Sequence, residues 1–125
     1  MAEFQPFLNE SFDWVHMRSM LDHVQVPDLA LLEALRVLKN NGSLLIGMYV
    51  EGGKSGVIPL KQRIKEMVKA GLALAGSTRW KDHHVWHPTH ANLVRLICDN
   101  GFYIKETFWQ PCFPDTVCYI QAGKQ

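Results

Sequence analysis

The sequence predicts an α/β fold, with one sheet of about four strands and three helices. Short apolar runs alternate with amphipathic segments of helical period, which is typical of strands that are connected through helices. Clusters of glycine, asparagine and proline separate these segments and mark the turns between them. The composition, with 47% hydrophobic and 20% charged residues among 125, is that of one globular domain over residues 1–125.

The first part of the chain predicts a strand, a helix and a second strand. The run 12–17 is short and mostly apolar, which favours a strand that is buried on both faces. Residues 28–39 have apolar positions near 3.6 spacing, with an acidic residue at the start and basic residues at the end. Asn-Asn-Gly at 40–42 predicts a left-handed stop, and 43–50 is a second buried strand. The short joints imply a right-handed parallel crossover.

The second part predicts two more helices and two more strands. Residues 59–75 have one apolar and one charged face, and 89–99 form a helix that a threonine caps. The runs 102–109 and 116–122 are strands separated by a short proline-containing link. Such a link favours an antiparallel pair at the edge of the sheet.

The charge balance excludes several classes of function. Thirteen basic and 12 acidic residues give a net charge of +1, which provides neither a nucleic-acid surface nor a polybasic membrane segment. No apolar run is long enough to span a membrane, and the start does not resemble a signal peptide, so we expect a cytoplasmic protein. The three cysteines form no C-x-x-C pair and are expected to be free thiols.

The six histidines are concentrated in one segment, which contains His83, His84, His87 and His90. Spacings of three and four residues can bring histidines to one helix face, where they bind transition metals. Pro88 discourages a helix in this segment, however, and apart from Asp82 no carboxylate or thiol completes a ligand set. We therefore expect no metal. His16, in the predicted strand 12–17, is expected to be a core histidine.

Two motifs point to a family. They are P-F-x-x-x-S-F-D at 6–13 and E-A-L-R-V-L-K-N-N-G at 33–42. Both resemble the middle of a class I methyltransferase domain that uses S-adenosylmethionine (SAM). The resemblance implies the C-terminal half of a doubly wound, Rossmann-like sheet, with 12–17 as the central strand. In the family a glycine-rich strand–turn–helix that holds the cofactor precedes this point, so the resemblance implies a truncated methyltransferase with one wall of the cofactor crevice.

The resemblance also implies site residues. Ala2 aligns with the segment that contacts the adenine ring, although Met1 stands where the family has an aspartate. Arg18 and Ser19 match positions that line the methionine end of the cofactor or the substrate. Residues 52–88 correspond to a variable insert, or lid, that closes over the acceptor. The implied substrate-facing residues are Trp80, His84, Trp86 and His87.

The insert has a second interpretation. As a lid, it would surround a small, partly apolar acceptor, and one of its histidines could take a proton from that acceptor. It could equally be a surface loop whose tryptophans pack on the core. The sequence leaves both alternatives open.

The implied ancestral reaction is transfer of a methyl group from SAM to a small molecule. Because this reaction needs two substrates held together, we expect the chain alone to bind SAM weakly and to have little or no activity. The alternatives are a non-catalytic homodimeric interaction module and a subunit completed by a separate N-terminal chain. We expect a homodimer through the strand 12–17, with Phe12, Trp14 and Met17 near the interface, because that strand lacks one neighbour.

Overall fold

The computed structural model describes residues 3–56, 60–74, 86–111 and 116–125. In chain order the helices and strands are β1 Phe12–Arg18, α1 Pro27–Val37, β2 Leu38–Tyr49, α2 Leu60–Leu74, α3 His90–Asp99, β3 Phe102–Trp109 and β4 Val117–Lys124. Short 3₁₀ turns at Leu21–His23 and Gly53–Ser55 follow the first two strands. The predicted α/β class is confirmed.

The four strands form one mixed sheet in the order β1-β2-β4-β3. β1 and β2 are parallel and are connected through α1, as the sequence predicts. β4 is antiparallel to both of its neighbours, β2 and β3. The predicted antiparallel pair is therefore confirmed, but its second strand lies inside the sheet and only β3 is at the edge.

One face of the sheet carries the hydrophobic core. The inner strands β2 and β4 contribute alternate side chains that are 0–1% exposed: Leu44, Ile46, Met48, Cys118 and Ile120. Leu31 of α1 and Ile97 of α3 are 0% exposed and belong to the same cluster. At the ends of these helices, the side-chain amide of Asn100 donates a 2.9 Å hydrogen bond to the Asp28 carboxylate. The two helices therefore lie side by side on the same face, which leaves the opposite face, here called the open face.

The predicted left-handed stop at 40–42 is wrong. Leu38 already has extended dihedral angles, and β2 runs through the Asn-Asn-Gly triplet without a positive φ. The helix end is satisfied in another way, because the backbone amides of Glu10 and Ser11 donate to the carbonyls of Arg36 and Val37 at 2.9 and 2.8 Å. Capping by a neighbouring segment makes a left-handed residue unnecessary.

β1 is less buried than predicted. Of its side chains only Met17 is buried, and Trp14 is 58% exposed. His16 is exposed, so its prediction as a core histidine is wrong. The reason is that β1 is an edge strand in the described part of the chain, and Trp14 and His16 pair with open-face positions of β2.

Most of the large apolar side chains of helix α2 are exposed. The exposed large apolar side chains are Leu60, Ile64, Met67, Val68 and Leu74. The residues that flank this helix, at 57–59 and 75–85, lie outside the described residues, so only 60–74 of the predicted 59–75 helix is established. Within the described residues, the structure contains no helix that is long and apolar enough to cross a membrane.

Candidate functional site

The segment before β1 is fixed to α1 by one arginine. The Arg36 guanidinium donates to the carbonyls of Gln5 and Phe7 at 2.9 and 2.7 Å, and to Oδ1 of Asn9 at 2.8 Å. It also forms two hydrogen bonds, of 3.0 and 2.8 Å, to the Glu33 carboxylate. The Gln5 amide donates to that carboxylate at 3.0 Å. These contacts are here called the Arg36 clamp, and they hold five residues of sequence in one conformation.

The clamp also changes the electrostatics of Glu33. The hydrogen bonds from Arg36 are the main reason why the pKa of Glu33 falls from 4.5 to about 2, and the Gln5 amide lowers it further. The same carboxylate raises the pKa of Arg36. Glu33 is therefore ionised at neutral pH and stays so well into the acidic range.

The clamped segment forms one wall of a groove along the outer edge of β1. This edge groove has a volume of about 250 Å³. Its lining is mostly apolar and includes Phe7, Phe12, Trp14, Met17, Ala30 and Ala34. Phe7 and Phe12 meet edge to face at 5.0 Å between ring centroids, which fixes the mouth of the groove.

The chain turns sharply at the carboxyl end of β1. The Ser19 amide donates to the Gly47 carbonyl at 2.7 Å and thereby completes the pairing of β1 with β2. Ser19 then adopts a φ of 48°, which is uncommon for a residue other than glycine and is found preferentially at functional sites. The next residues enter a short 3₁₀ turn in which Asp22 is buried and His23 is exposed. His23 Nε2 lies 3.9 Å from Asp22 Oδ1.

The segment that precedes α3 lies on this turn. The Trp86 amide donates to the carbonyl of Asp22 at 3.3 Å, and the Glu51 amide donates to the carbonyl of Pro88 at 2.8 Å. The three segments that follow β1, that follow β2 and that precede α3 are therefore joined at one end of the sheet. In α/β proteins this end, beyond the carboxyl ends of parallel strands, is where ligands bind.

Four of the seven residues that the resemblance implies lie in these segments: Arg18, Ser19, Trp86 and His87. Trp86 is half-buried and packs against the hydrophobic core, as the alternative interpretation of the insert expects. Arg18, Ser19 and His87 are exposed. The other three implied residues, Ala2, Trp80 and His84, lie outside the described residues, as do Asp82 and His83.

The sequence analysis did not single out Asp22 and His23. An exposed imidazole at this end of the sheet is a group that can accept a proton from a bound substrate. The signal in the sequence was an acidic residue and a histidine one turn after a strand, which is too common a pattern to be specific. No group of three potential metal ligands is found among the described residues.

The described residues do not enclose SAM by themselves. They form one wall of a crevice, and the outer edge of β1 faces no second strand within them. The glycine-rich G-x-G-x-G segment that holds the cofactor in such folds is not among the 125 residues.

Comparisons with known proteins concern the sequence of the first part of the chain and the fold as a whole. Residues 1–46 match the family of methyltransferase domains. The whole fold is similar to a SAM-dependent methyltransferase of Thermotoga maritima, with 23% identity and a TM-score of 0.67 over 99% of this chain and 61% of that one. It is also similar to a SAM-dependent methyltransferase of Methanosarcina mazei, with 18% identity and a TM-score of 0.69 over 99% of this chain and 64% of that one. The [4+2]-cyclase SpnF has 17% identity and a TM-score of 0.68 over 99% of this chain and 54% of its own. The sequence matches no curated protein.

The fold is thus the same as that of these SAM-dependent methyltransferases, and the resemblance of the sequence to a methyltransferase domain is confirmed over residues 1–46. The chain spans about three fifths of the length of the two methyltransferase structures it matches. The sequence match to methyltransferase domains covers residues 1–46, which include the clamped segment, β1, α1 and most of β2.

Proposed function

We propose that this chain is the acceptor-side half of a cytoplasmic, SAM-dependent methyltransferase that acts on a small molecule. The observation that carries the proposal is the coincidence of two features. The methyltransferase match covers β1 and α1, and the segments at the carboxyl end of β1 and β2 meet at the segment that contains Trp86 and His87. The free thiols of Cys98 and Cys118 suit a reducing compartment.

The residues at this end of the sheet suggest a division of roles. Arg18 is an exposed cation that can bind a carboxylate, either of the cofactor or of the acceptor. His87 and His23 are exposed imidazoles that can accept the proton which an acceptor loses when it is methylated. Trp86 provides an apolar surface for the acceptor. SAM, when bound, supplies the methyl group.

The small-molecule acceptor has support from one comparison. The Thermotoga maritima protein is described as a possible histamine N-methyltransferase, which would act on a small amine. The comparison with the [4+2]-cyclase SpnF shows that a similar fold supports a different reaction, because function depends on the site rather than on the fold. The site residues, rather than the fold, must therefore be tested.

The chain alone is proposed to have little or no activity. Methyl transfer requires both substrates to be held in contact, and the described residues form one wall of the cofactor crevice. The other wall would come from a preceding segment or from a separate chain. The first test is isothermal titration calorimetry, in which SAM is added to the purified chain. We expect no binding at micromolar concentrations, and a low-micromolar dissociation constant would refute this part of the proposal.

The acceptor site needs a second test in a form of the protein that binds SAM, with the missing wall supplied in the same chain or in trans. Arg18→Gln should raise KM for the acceptor or for SAM, while Arg95→Gln, an exposed arginine on α3, should leave both unchanged. If one of the two imidazoles is the proton acceptor, His87→Gln or His23→Gln should lower kcat. The decrease of kcat towards acidic pH that this group causes should then be absent from the variant. If Arg18→Gln, His87→Gln and His23→Gln were all as active as the Arg95→Gln control, this end of the sheet would be excluded as the active site.

A non-catalytic homodimer is the second candidate function. It is favoured by the outer edge of β1, which has no strand partner among the described residues, and by the exposed aromatic side chains beside it. The two candidate functions are alternatives, because a preceding segment or a separate chain that completes the sheet would occupy the same edge of β1.

A further inference from the structure

The helix α2 presents an apolar face that is not part of the core. Its large apolar side chains that are 53–92% exposed are Leu60, Ile64, Met67, Val68 and Leu74. Among the described residues, no side chain of α2 belongs to the hydrophobic core or packs against it. The five positions recur at the helical period, so they lie along one side of a helix that is about 22 Å long. An exposed apolar face of this kind is typical of a surface that binds a protein or a membrane.

Basic residues border this face on both sides. The sequence of α2 contains four basic residues and one acidic residue, although the whole chain has a net charge of +1. Viewed along the helix axis, at about 100° per residue, Lys61 lies next to Val68 at one border of the face and Arg63 lies next to Leu74 at the other. Both basic side chains are exposed. The balanced charge of the chain therefore conceals a concentration of positive charge on α2.

An anionic lipid surface is complementary to both features. The apolar side chains of such a helix enter the boundary between headgroups and acyl chains. The aliphatic stems of lysine and arginine extend beside them, so that the charged ends reach the headgroups. Anionic headgroups attract each basic residue, and salt weakens this attraction. The apolar face thus provides insertion, and the basic borders provide the preference for anionic lipid.

The connections of α2 favour a flat surface over a groove that surrounds the helix. In the chain α2 follows β2 and precedes α3, so both of its ends are connected to the sheet and its helices. A partner that encloses a helix, as a peptide-binding groove does, needs access to most of its sides. A membrane contacts one face only, and one face is what α2 presents.

We propose that the apolar face of α2 binds the surface of a membrane that contains anionic lipid, with Lys61 and Arg63 at the borders of the contact. The helix lies in the plane of the surface, because its 15 residues are too few to span the bilayer. The proposal does not rest on methyl transfer, since it concerns α2 and not the carboxyl ends of β1 and β2.

Sedimentation with lipid vesicles gives the first measurement. Untagged protein is mixed with vesicles of pure phosphatidylcholine or with vesicles of phosphatidylcholine and phosphatidylserine in equal parts, and the bound fraction is measured after centrifugation. We expect binding to the mixed vesicles, little binding to pure phosphatidylcholine, and a smaller difference as the salt concentration rises. Protein that stays in the supernatant with both kinds of vesicle, or that binds both equally, would overturn the proposal.

Substitutions on α2 then test the contact itself. Ile64→Asp places a charge in the apolar face and should weaken binding to the mixed vesicles about tenfold or more. The double variant with Lys61→Glu and Arg63→Glu keeps the apolar face and should lose the preference for the mixed vesicles. Leu32→Asp on α1 and Arg95→Glu on α3 are the matched controls, because each makes a corresponding change at an exposed position elsewhere. A control that weakened binding as much as its counterpart on α2 would refute the proposed contact.

Two measurements without lipid distinguish the other surfaces that would cover α2. If α2 packs against a second copy, light scattering should show a dimer that Ile64→Asp converts into a monomer. If α2 folds back onto its own sheet, Ile64→Asp should lower the urea midpoint markedly. We expect neither change, because the Ile64 side chain is 53% exposed in the chain by itself. Either result would assign the apolar face to protein rather than lipid and overturn the proposal.

Discussion

The phenol ring of Tyr119 lies across the α-carbon of Gly47 on the open face of the sheet. The two residues are opposite each other in the antiparallel pair of β2 and β4. A β-carbon at Gly47 would overlap the Cδ1 and Cε1 atoms of the ring. Gly47 is therefore required for close approach rather than for an unusual backbone angle, and Gly123 has the same relationship to Tyr103.

The first prediction is that Gly47→Ala destabilises the protein. The added methyl group must displace the Tyr119 ring or the backbone, which typically costs about 1–3 kcal/mol in a packed sheet. Urea unfolding followed by circular dichroism gives the difference. Tyr119→Ala in the same chain should remove most of the additional effect, because the obstructing ring is then absent. Gly71→Ala is the matched control, since a β-carbon there meets nothing within 4 Å, and it should be neutral or slightly stabilising.

The second prediction concerns pH. Glu33 has a pKa of about 2 in the folded protein against 4.5 when unfolded, chiefly because of its hydrogen bonds to Arg36. A lowered folded-state pKa contributes stability that is fully present above the unfolded value and is lost as the pH falls from 4.5 towards about 2. Glu33→Gln should therefore be less stable than the wild type at neutral pH, and the difference should shrink through that window. The urea midpoint, measured at a series of pH values, tests this.

Asp13→Asn provides the control for the pH experiment. It breaks an exposed ion pair with Lys39, 3.1 Å long, which is expected to contribute little. The acid-dependent difference should persist in this variant. If Glu33→Gln and the wild type lose stability in parallel from neutral pH down to about 2, the Arg36 clamp does not stabilise the fold.

The third prediction concerns thiol reactivity. Cys118 is 0% exposed on the core face of β4, and burial raises its pKa to about 11, so it should react with alkylating reagents only after unfolding. Cys98 on α3 is exposed and should react rapidly. Peptide-resolved mass spectrometry after iodoacetamide treatment distinguishes them. Rapid labelling of Cys118 under native conditions would show that the sheet opens frequently or that β4 is placed incorrectly.

The fourth prediction concerns the join between the two core helices. The amide of Asn100 donates to the Asp28 carboxylate at 2.9 Å and to the Leu96 carbonyl at 2.8 Å, and Asn100 is 8% exposed. Asn100→Ala leaves both acceptors without this donor and should destabilise the protein by about 1–3 kcal/mol. Asp28→Asn retains an oxygen that can accept the bond and should have a smaller effect. Thermal unfolding ranks the two variants, and a larger effect of Asp28→Asn would contradict this account.

Much of the fold follows from local patterns in the sequence. The alternation of apolar runs with the amphipathic stretches of α1 and α3 is sufficient to predict a parallel crossover and its helices, because burial on one face requires that spacing. The end of α1 could not be predicted in this way. It depends on amides of Glu10 and Ser11, which approach the helix from 26 residues earlier in the sequence. For that reason Asn40–Gly42 forms part of a strand, although its composition is typical of the end of a helix.

The candidate site was predictable in part for a related reason. Arg18 and Ser19 could be identified because they directly follow a strand and match a family motif. The approach of Trp86 to Asp22 joins residues 64 apart in sequence, and no local pattern indicates it. The exposure of His16 was missed because the apolar neighbours Val15 and Met17 suggest burial, whereas His16 lies on the open face, where the described residues leave it exposed.

The position of β4 has a consequence for synthesis on the ribosome. Since β4 is formed by 117–124 and lies between β2 and β3, the strands made earlier cannot assemble into a continuous sheet before it has emerged. Until then β2 and β3 have unsatisfied edges and an apolar face without its central strand. The nascent chain therefore has a long interval in which chaperones can bind it. Ribosome stalling or premature termination before residue 117 should yield an aggregation-prone product rather than a smaller folded domain.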